Sequence, residues 1–169
     1  MKKFSKINSI NLPKHFLSNG VEDTKKIAQH LVKYLMKLKS SNRATVIGLV
    51  GKLGAGKTYF VKGIAKQLKV RRKIVSPSFV IMKRFKVNSD RFSNFYHLDC
   101  YRIKSPKEIL NLNINDILND SSNLVVIEWA EKIKEILPSN AIWVKFEYGK
   151  NQNQREITIS STAKDAIHF

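Results

Sequence analysis

The chain has 169 residues, 43% of them apolar and 26% charged, with 31 Lys and Arg against 13 Asp and Glu for a formal net charge of +18. That is room for one domain with a sizeable core rather than two, and no apolar run reaches the length of a membrane span. The lone cysteine, Cys100, excludes an internal disulfide framework and a cysteine-based zinc site, and the basic start MKKFSKINSINLPKHF has no continuous apolar segment and is a poor secretory signal, so the cytoplasm is the default location.

Residues 1–15 read as an N-terminal extension. VEDTKKIAQHLVKYLMKLKS then places Ile27, Leu31, Leu35 and Leu38 on one helical face, with Asp23 or Thr24 as cap. ATVIGLV is apolar on both faces, as a central buried strand requires. A glycine-rich loop from Gly51 leads into a helix with Phe60, Ile64 and Leu68 on its inner side. Pro77 breaks the pattern in KIVSPSF. FVIMKRF and RFSNFYHLD alternate around VNSD, a hairpin. SPKEILNLNINDIL opens with a capping box: Ser105 the cap, Pro106 at the first helical position, Glu108 three after the serine. NLVVIEW is a second buried strand, and AIWVKFEY and REITIS form a second hairpin around GKNQNQ. The expectation is one α/β domain over 1–169 with a mixed, mostly parallel sheet, antiparallel hairpins at its margins and helices on both faces.

The loop GKLGAGKT satisfies G-x-x-x-x-G-K-[ST] at Gly51, Gly56, Lys57 and Thr58, between a strand and a helix as the pattern demands. Gly51, Gly54 and Gly56, with Leu53 and Ala55 between them, let backbone N–H groups turn onto phosphate oxygens, and the helix N-terminus adds its partial positive charge. Lys57 reaches the β- and γ-phosphates, and the Thr58 hydroxyl can ligate magnesium. The metal needs an acid at the end of a neighbouring strand. Glu128 ends LVVI and Asp99 ends FYHL; a strand-end ion pair for the first and a turn or cap role for the second are the alternatives.

Charge is uneven as well as high. Between Asp23 and Asp90 there is no carboxylate, while Lys62, Lys66, Arg71, Arg72, Lys73, Lys83 and Arg84 all fall there. Such a stretch either faces a polyanion such as RNA or is a solvated lysine-rich surface.

GKLGAGKT, VSPSF, HLDCYRI and VIEWAEKI occur in that order at domain-like spacing, and together they resemble the TsaE family of bacterial P-loop ATPases. The resemblance covers nearly the whole chain after about residue 15. It implies a single P-loop domain that binds ATP or ADP with magnesium and hydrolyses ATP. It also implies an accessory role, with the TsaB–TsaD pair, in N6-threonylcarbamoyladenosine (t6A) formation at position 37 of tRNA. By the same resemblance Lys57, Asp99 and Glu128 are catalytic, and Thr58 and Glu128 serve the metal. Ser76-Pro77-Ser78 is then a switch-like segment with Ser78 near the γ-phosphate, and Trp129 lies by the nucleotide or the partner. The family often has arginine at the position of Arg155, which either faces the nucleotide or makes a surface ion pair. Three positions depart from the family's pattern. Lys52 stands where an acid or Asn is usual, Ser78 where threonine is, and Tyr59 replaces a second threonine.

His97 reads as a packed or hydrogen-bonded strand residue, Trp143 as core or partly exposed sheet and Cys100 as a small buried hydrophobe. No arginine stands out as a finger for the γ-phosphate, so a partner completes the site unless Arg102 or Arg155 supplies the charge in cis. Two other functions compete. A small-molecule kinase would need an arginine-bearing lid, and no Arg-rich insertion is evident. An RNA-binding module with a secondary ATP site would draw on the acid-free stretch, by which tRNA is a candidate partner.

Overall fold

The computed structural model describes residues 13–38, 42–74 and 81–161. In chain order its elements are β1 (Lys14–Ser18), α1 (Val21–Leu35), β2 (Thr45–Gly51), α2 (Lys57–Gln67), β3 (Met82–Lys86), β4 (Asn94–Asp99), α3 (Lys107–Leu110), α4 (Ile114–Asn119), β5 (Asn123–Glu128), a 3-10 stretch (Ala130–Ile136), β6 (Ile142–Tyr148) and β7 (Arg155–Ser160). The strands form one seven-stranded sheet in the order β1-β7-β6-β2-β5-β4-β3. β2, β4, β5 and β6 run parallel, while β3, β7 and β1 are antiparallel additions at the two sides. The mixed, mostly parallel sheet with two hairpins is the architecture that the alternation of buried and half-buried strands predicts.

β2 is central because both its faces are apolar. Ile47 and Leu49 pack with Ile27, Leu31, Phe60 and Ile64 of α1 and α2. Val46 and Val50 pack on the other side with Ile109 of α3, Ile114 and Leu118 of α4 and Ile133 of the 3-10 stretch. The period-2 alternation of β2 thus feeds two separate cores, one per face of the sheet. Trp143 and Cys100 lie in the second core. Burial pushes the Cys100 thiol up to about 12, and Asp99 adds to the shift.

Four local expectations change. α1 begins at Val21 behind Gly20 instead of being capped by Asp23 or Thr24. Thr24 is buried and its hydroxyl is 2.8 Å from Ser18 Oγ, while Asp23 accepts from the Asn19 N–H at 3.1 Å. Asp23, in the first turn, therefore reaches back to the residue before the cap, and the helix starts before it. Leu38 lies past the end of α1 and is exposed. The single helix expected in SPKEILNLNINDIL is split in two, because Asn113 sits in the left-handed region at φ 54°. Only the glutamate half of its capping box forms, Glu108 Oε1 accepting from the Ser105 and Lys104 N–H groups at 3.0 and 2.9 Å, and α3 starts at Lys107 with Pro106 at the cap position instead of the first helical one. Lastly, Lys14 and His15, placed in the extension by the sequence, already belong to β1, which pairs with β7 from Lys14↔Ile159 to Ser18↔Arg155.

Candidate functional site

β2 ends at Gly51, and the chain turns through the glycine-rich loop into α2. Gly51 has φ 144°, and a Cβ there would stand 2.6 Å from the backbone oxygen of Phe146 in β6, so neither the dihedral nor the space admits a side chain. Gly56, left-handed at φ 105°, turns the chain into the first residue of α2. Ala55 is packed in the core under the loop, while Leu53 and Lys52 are exposed at its tip. The loop is a concave run of backbone opening on a helix N-terminus, the arrangement that receives an anion.

Lys57 is 4% exposed, and its Nζ donates to Gly51 O at 2.5 Å and Lys52 O at 3.0 Å. The same ammonium lies 3.7 Å from the centre of the Trp129 ring. Burial pushes its pKa down, and the nearby carboxylates Glu128, Glu131 and Asp99 act in the opposite sense. A desolvated cation surrounded by carbonyls and an aromatic face is held ready for a stronger acceptor than carbonyl oxygen.

The parallel pairing of β4 and β5 brings the two predicted acids side by side: Asp99 and Glu128 are register partners, each the last residue of its strand. Glu128 also pairs with Leu49, two residues before the loop. It is 3% exposed with both carboxylate oxygens engaged, Oε2 accepting from Thr58 Oγ1 at 2.9 Å and Oε1 lying 2.9 Å from His97 Nε2. His97 is fully buried and its Nδ1 has no hydrogen-bond partner among the described residues. The expectation of a hydrogen-bonded strand histidine holds, and its partner is the candidate metal acid. Asp99 is half-buried and accepts from the Tyr101 N–H at 3.0 Å. Among the described residues no group of three or more His, Cys, Asp and Glu side chains makes a metal cage. The donor set that fits magnesium is instead the hydroxyl of Thr58 and the carboxylate of Glu128, already in contact, a sparse oxygen set of the kind this ion shares with water and phosphate.

Trp129 follows Glu128 in the left-handed region at φ 60°, which directs its ring back over Lys57, and Tyr101 packs on it at 5.1 Å between centroids. Arg155 makes no ion pair with a described residue. Its Nη2 donates to Gly54 O at 3.2 Å, its Nη1 to Gln152 O and Gln154 O, each at 2.7 Å, and its guanidinium lies 4.5 Å from the Tyr148 ring centre. Tyr148, its register partner across the β6–β7 hairpin, donates its hydroxyl to Leu53 O at 2.6 Å. The hairpin therefore braces the loop tip through two carbonyls. Arg102 is exposed on the turn after Asp99. Ser78, with the whole Ser76-Pro77-Ser78 segment, lies outside the described residues.

Sequence reading missed two members of this neighbourhood. Glu131 sits in the first turn after Trp129, with Oε2 buried and no hydrogen-bond partner among the described residues. Its carboxyl is pushed up by burial, against the pull of a backbone hydrogen bond, Lys57 and Lys132. The signal was the second acid of EWAE, overlooked because the first ended so plain a strand. Tyr148 was read only as the end of an alternating strand.

A glycine loop at the C-terminal edge of a parallel sheet, followed by lysine and threonine on a helix and faced by an acid on the adjacent strand, defines an α/β protein with a P-loop-like fold. Residues 18–157 match the family model TsaE, threonylcarbamoyl adenosine biosynthesis protein TsaE. Relatives named tRNA threonylcarbamoyladenosine biosynthesis protein TsaE include one from Rickettsia felis, 37% identical over 89% of this chain and 83% of the relative. Another, from Bacillus subtilis, is 33% identical over 83% of this chain and 80% of the relative. Among solved structures, YdiB of Bacillus subtilis superposes with a TM-score of 0.68 at 26% identity, over 93% of this chain and 92% of that one. The chain belongs to the TsaE family, whose proteins take part in t6A biosynthesis on tRNA. No helix among the described residues is long and apolar enough to cross a membrane.

Proposed function

We propose that this chain is a magnesium-dependent ATPase that serves t6A formation as an accessory to the TsaB–TsaD transferase pair, slow alone and completed by that pair. The observation that carries the reading is the contact of Thr58 with Glu128 beside the loop, because it joins the two oxygen donors a nucleotide-bound magnesium requires. Gly51–Thr58 supply the backbone N–H groups for the phosphates. Lys57 exchanges two loop carbonyls for phosphate oxygens, a gain in charge complementarity that its buried setting magnifies. Thr58 and Glu128 would hold the metal, which when bound would neutralise phosphate charge. His97 fixes the direction of the Glu128 carboxylate. Asp99, level with Glu128 one strand further out, orients the attacking water or the water around the metal.

Partner control draws support from Arg155, one of the two cis candidates. Arg155 is committed to carbonyls of the loop and hairpin, so it braces the site instead of reaching over a γ-phosphate. An arginine finger is worth about a thousandfold or more where one is used. A kinase reading is weaker, since the site's described surroundings offer no arginine-bearing lid. The test is steady-state phosphate release from Mg·ATP by wild type and Lys57→Ala, with and without the TsaB–TsaD pair. Slow release by wild type, accelerated by the pair and reduced on the order of a hundredfold in Lys57→Ala, is the expected result. Fast release unaffected by the pair shows a self-sufficient site, and unchanged release by a folded Lys57→Ala variant removes the site assignment altogether.

A further inference from the structure

Charges from the acid-free part of the chain flank one edge of the sheet. β3 is one of the two edge strands of the sheet, and between it and the loop after α2 lies an open cavity of about 310 Å³ lined by Arg72, Lys73, Lys83, Arg84 and Phe85. Phe85 faces the α1–α2 side, and the Arg84 guanidinium reaches round to the α4 side of the same edge. Lysines on an edge strand have a simple explanation, since charge there prevents strand-to-strand aggregation. That explanation asks only for charge. It does not ask for a charge held in one orientation, and Arg84 is so held.

Nε and Nη2 of Arg84 both donate to Asn94 Oδ1, at 3.0 and 2.8 Å. Asn94 is 7% exposed, and its Nδ2 donates to Oδ1 of Asn123 at 2.9 Å. Asn123, 2% exposed, donates in turn to the carbonyl of Ile117 in α4 at 3.0 Å. The ladder crosses from α4 through β5 and β4 to the edge strand. Buried amides are tolerated only when satisfied, and here the satisfied chain ends in a guanidinium on the surface. The Arg84 guanidinium also lies 5.8 Å from the Tyr96 ring centre. A preorganised guanidinium loses little entropy on meeting a phosphate, and its planar fork matches phosphate geometry. The acid that reaches this charge is Asp120, whose carboxyl is lowered first by Ser122 and only least by Arg84.

We infer that the β3 edge is a binding site for the phosphate backbone of RNA, with Arg84 as the oriented anchor on the α4 side of the edge and Arg72, Lys73 and Lys83 as further phosphate contacts around it on the α2 side. The choice of RNA over other polyanions rests on the family's place in tRNA modification; the site itself does not depend on ATP hydrolysis. Cavity and charges lie beside β3, two strands out from β5 with its candidate metal acid, so RNA and nucleotide occupy different parts of the molecule.

The experiment measures binding of an unmodified tRNA transcript to the full-length protein across a salt series, by fluorescence anisotropy. Three proteins are compared: wild type, the edge variant Arg72→Gln/Lys73→Gln/Lys83→Gln/Arg84→Gln, and a control with the same change in net charge at the exposed positions Lys33→Gln/Lys37→Gln/Lys107→Gln/Lys134→Gln. The edge variant is expected to lose at least about tenfold in affinity at fixed salt and roughly one unit of log–log salt slope per lost contact. The control should stay within about threefold of wild type. ATP binding, read separately, should be the same in all three, which shows that each is folded and that the nucleotide reading stands or falls by itself. Equal losses in edge variant and control, no measurable tRNA binding by wild type, or tighter binding to a DNA duplex than to tRNA at matched salt would each overturn the assignment.

Discussion

His97 and Thr58 grip Glu128 from opposite sides, so the carboxylate cannot rotate without breaking one of two contacts at 2.9 Å. Groups of this kind around a metal acid are worth roughly ten- to hundredfold in metal affinity. His97→Phe should therefore raise the magnesium concentration needed for half-maximal ATP binding by about tenfold or more, with His97→Gln recovering part of the loss because it restores a donor. Calorimetric magnesium titrations read the shift, and superimposable curves for wild type and His97→Phe would show that the histidine only packs. Glu131 makes a second prediction. A glutamate ordinarily titrates at 4.5, and burial raises this one in the folded chain. The folded state then binds the extra proton above pH 4.5, so the protonated form's contribution is complete below the unfolded value and is lost as pH rises through the folded one. Glu131→Gln should melt with wild type near pH 4 and above it at neutral pH. A melting difference that does not change with pH would mean that the carboxyl is not desolvated. Neither residue was singled out for its role from sequence: a histidine in a strand and a second acid after a tryptophan acquire meaning only when β4, β5 and the following turn are brought together.

At the scale of elements, the strands were legible and their boundaries less so. β2 and β5 announce themselves by unbroken apolar runs, and the two hairpins by alternation about polar turns. β1 was hidden because KHFLS alternates over only five residues and acquires its identity from pairing with β7. The break between α3 and α4 was hidden because helix propensity does not reveal one left-handed Asn113. The contact of α1 with α2 depends on Gly63, where a Cβ would meet Lys25 O at 2.5 Å and Ala28 Cβ at 2.8 Å. Backbone cannot yield as a flexible side chain does, so Gly63→Ala must push the helices apart. A loss of about 2 kcal/mol, or roughly 5 °C in melting temperature, is expected. An unchanged melting curve would mean that the two helices separate without cost.

Across the whole molecule, one sheet carries a loop at its centre, two acids on neighbouring strands, a bracing hairpin on one side and a basic edge on the other. The loop was legible because its chemistry is local in sequence. The acids were legible as strand ends, since an acid closing an apolar strand is conspicuous. The brace of Tyr148 and Arg155 on the loop tip, and the amide ladder under Arg84, join residues far apart in the chain and leave no local pattern. What the whole arrangement is for is tested most directly by reconstitution. The amount of t6A formed per TsaD is measured with TsaB–TsaD, tRNA and ATP, adding no further protein, this chain, or its Lys57→Ala variant. The account predicts repeated turnover only with the wild-type chain. Equal t6A yields with the Lys57→Ala variant, or with no addition, would contradict it.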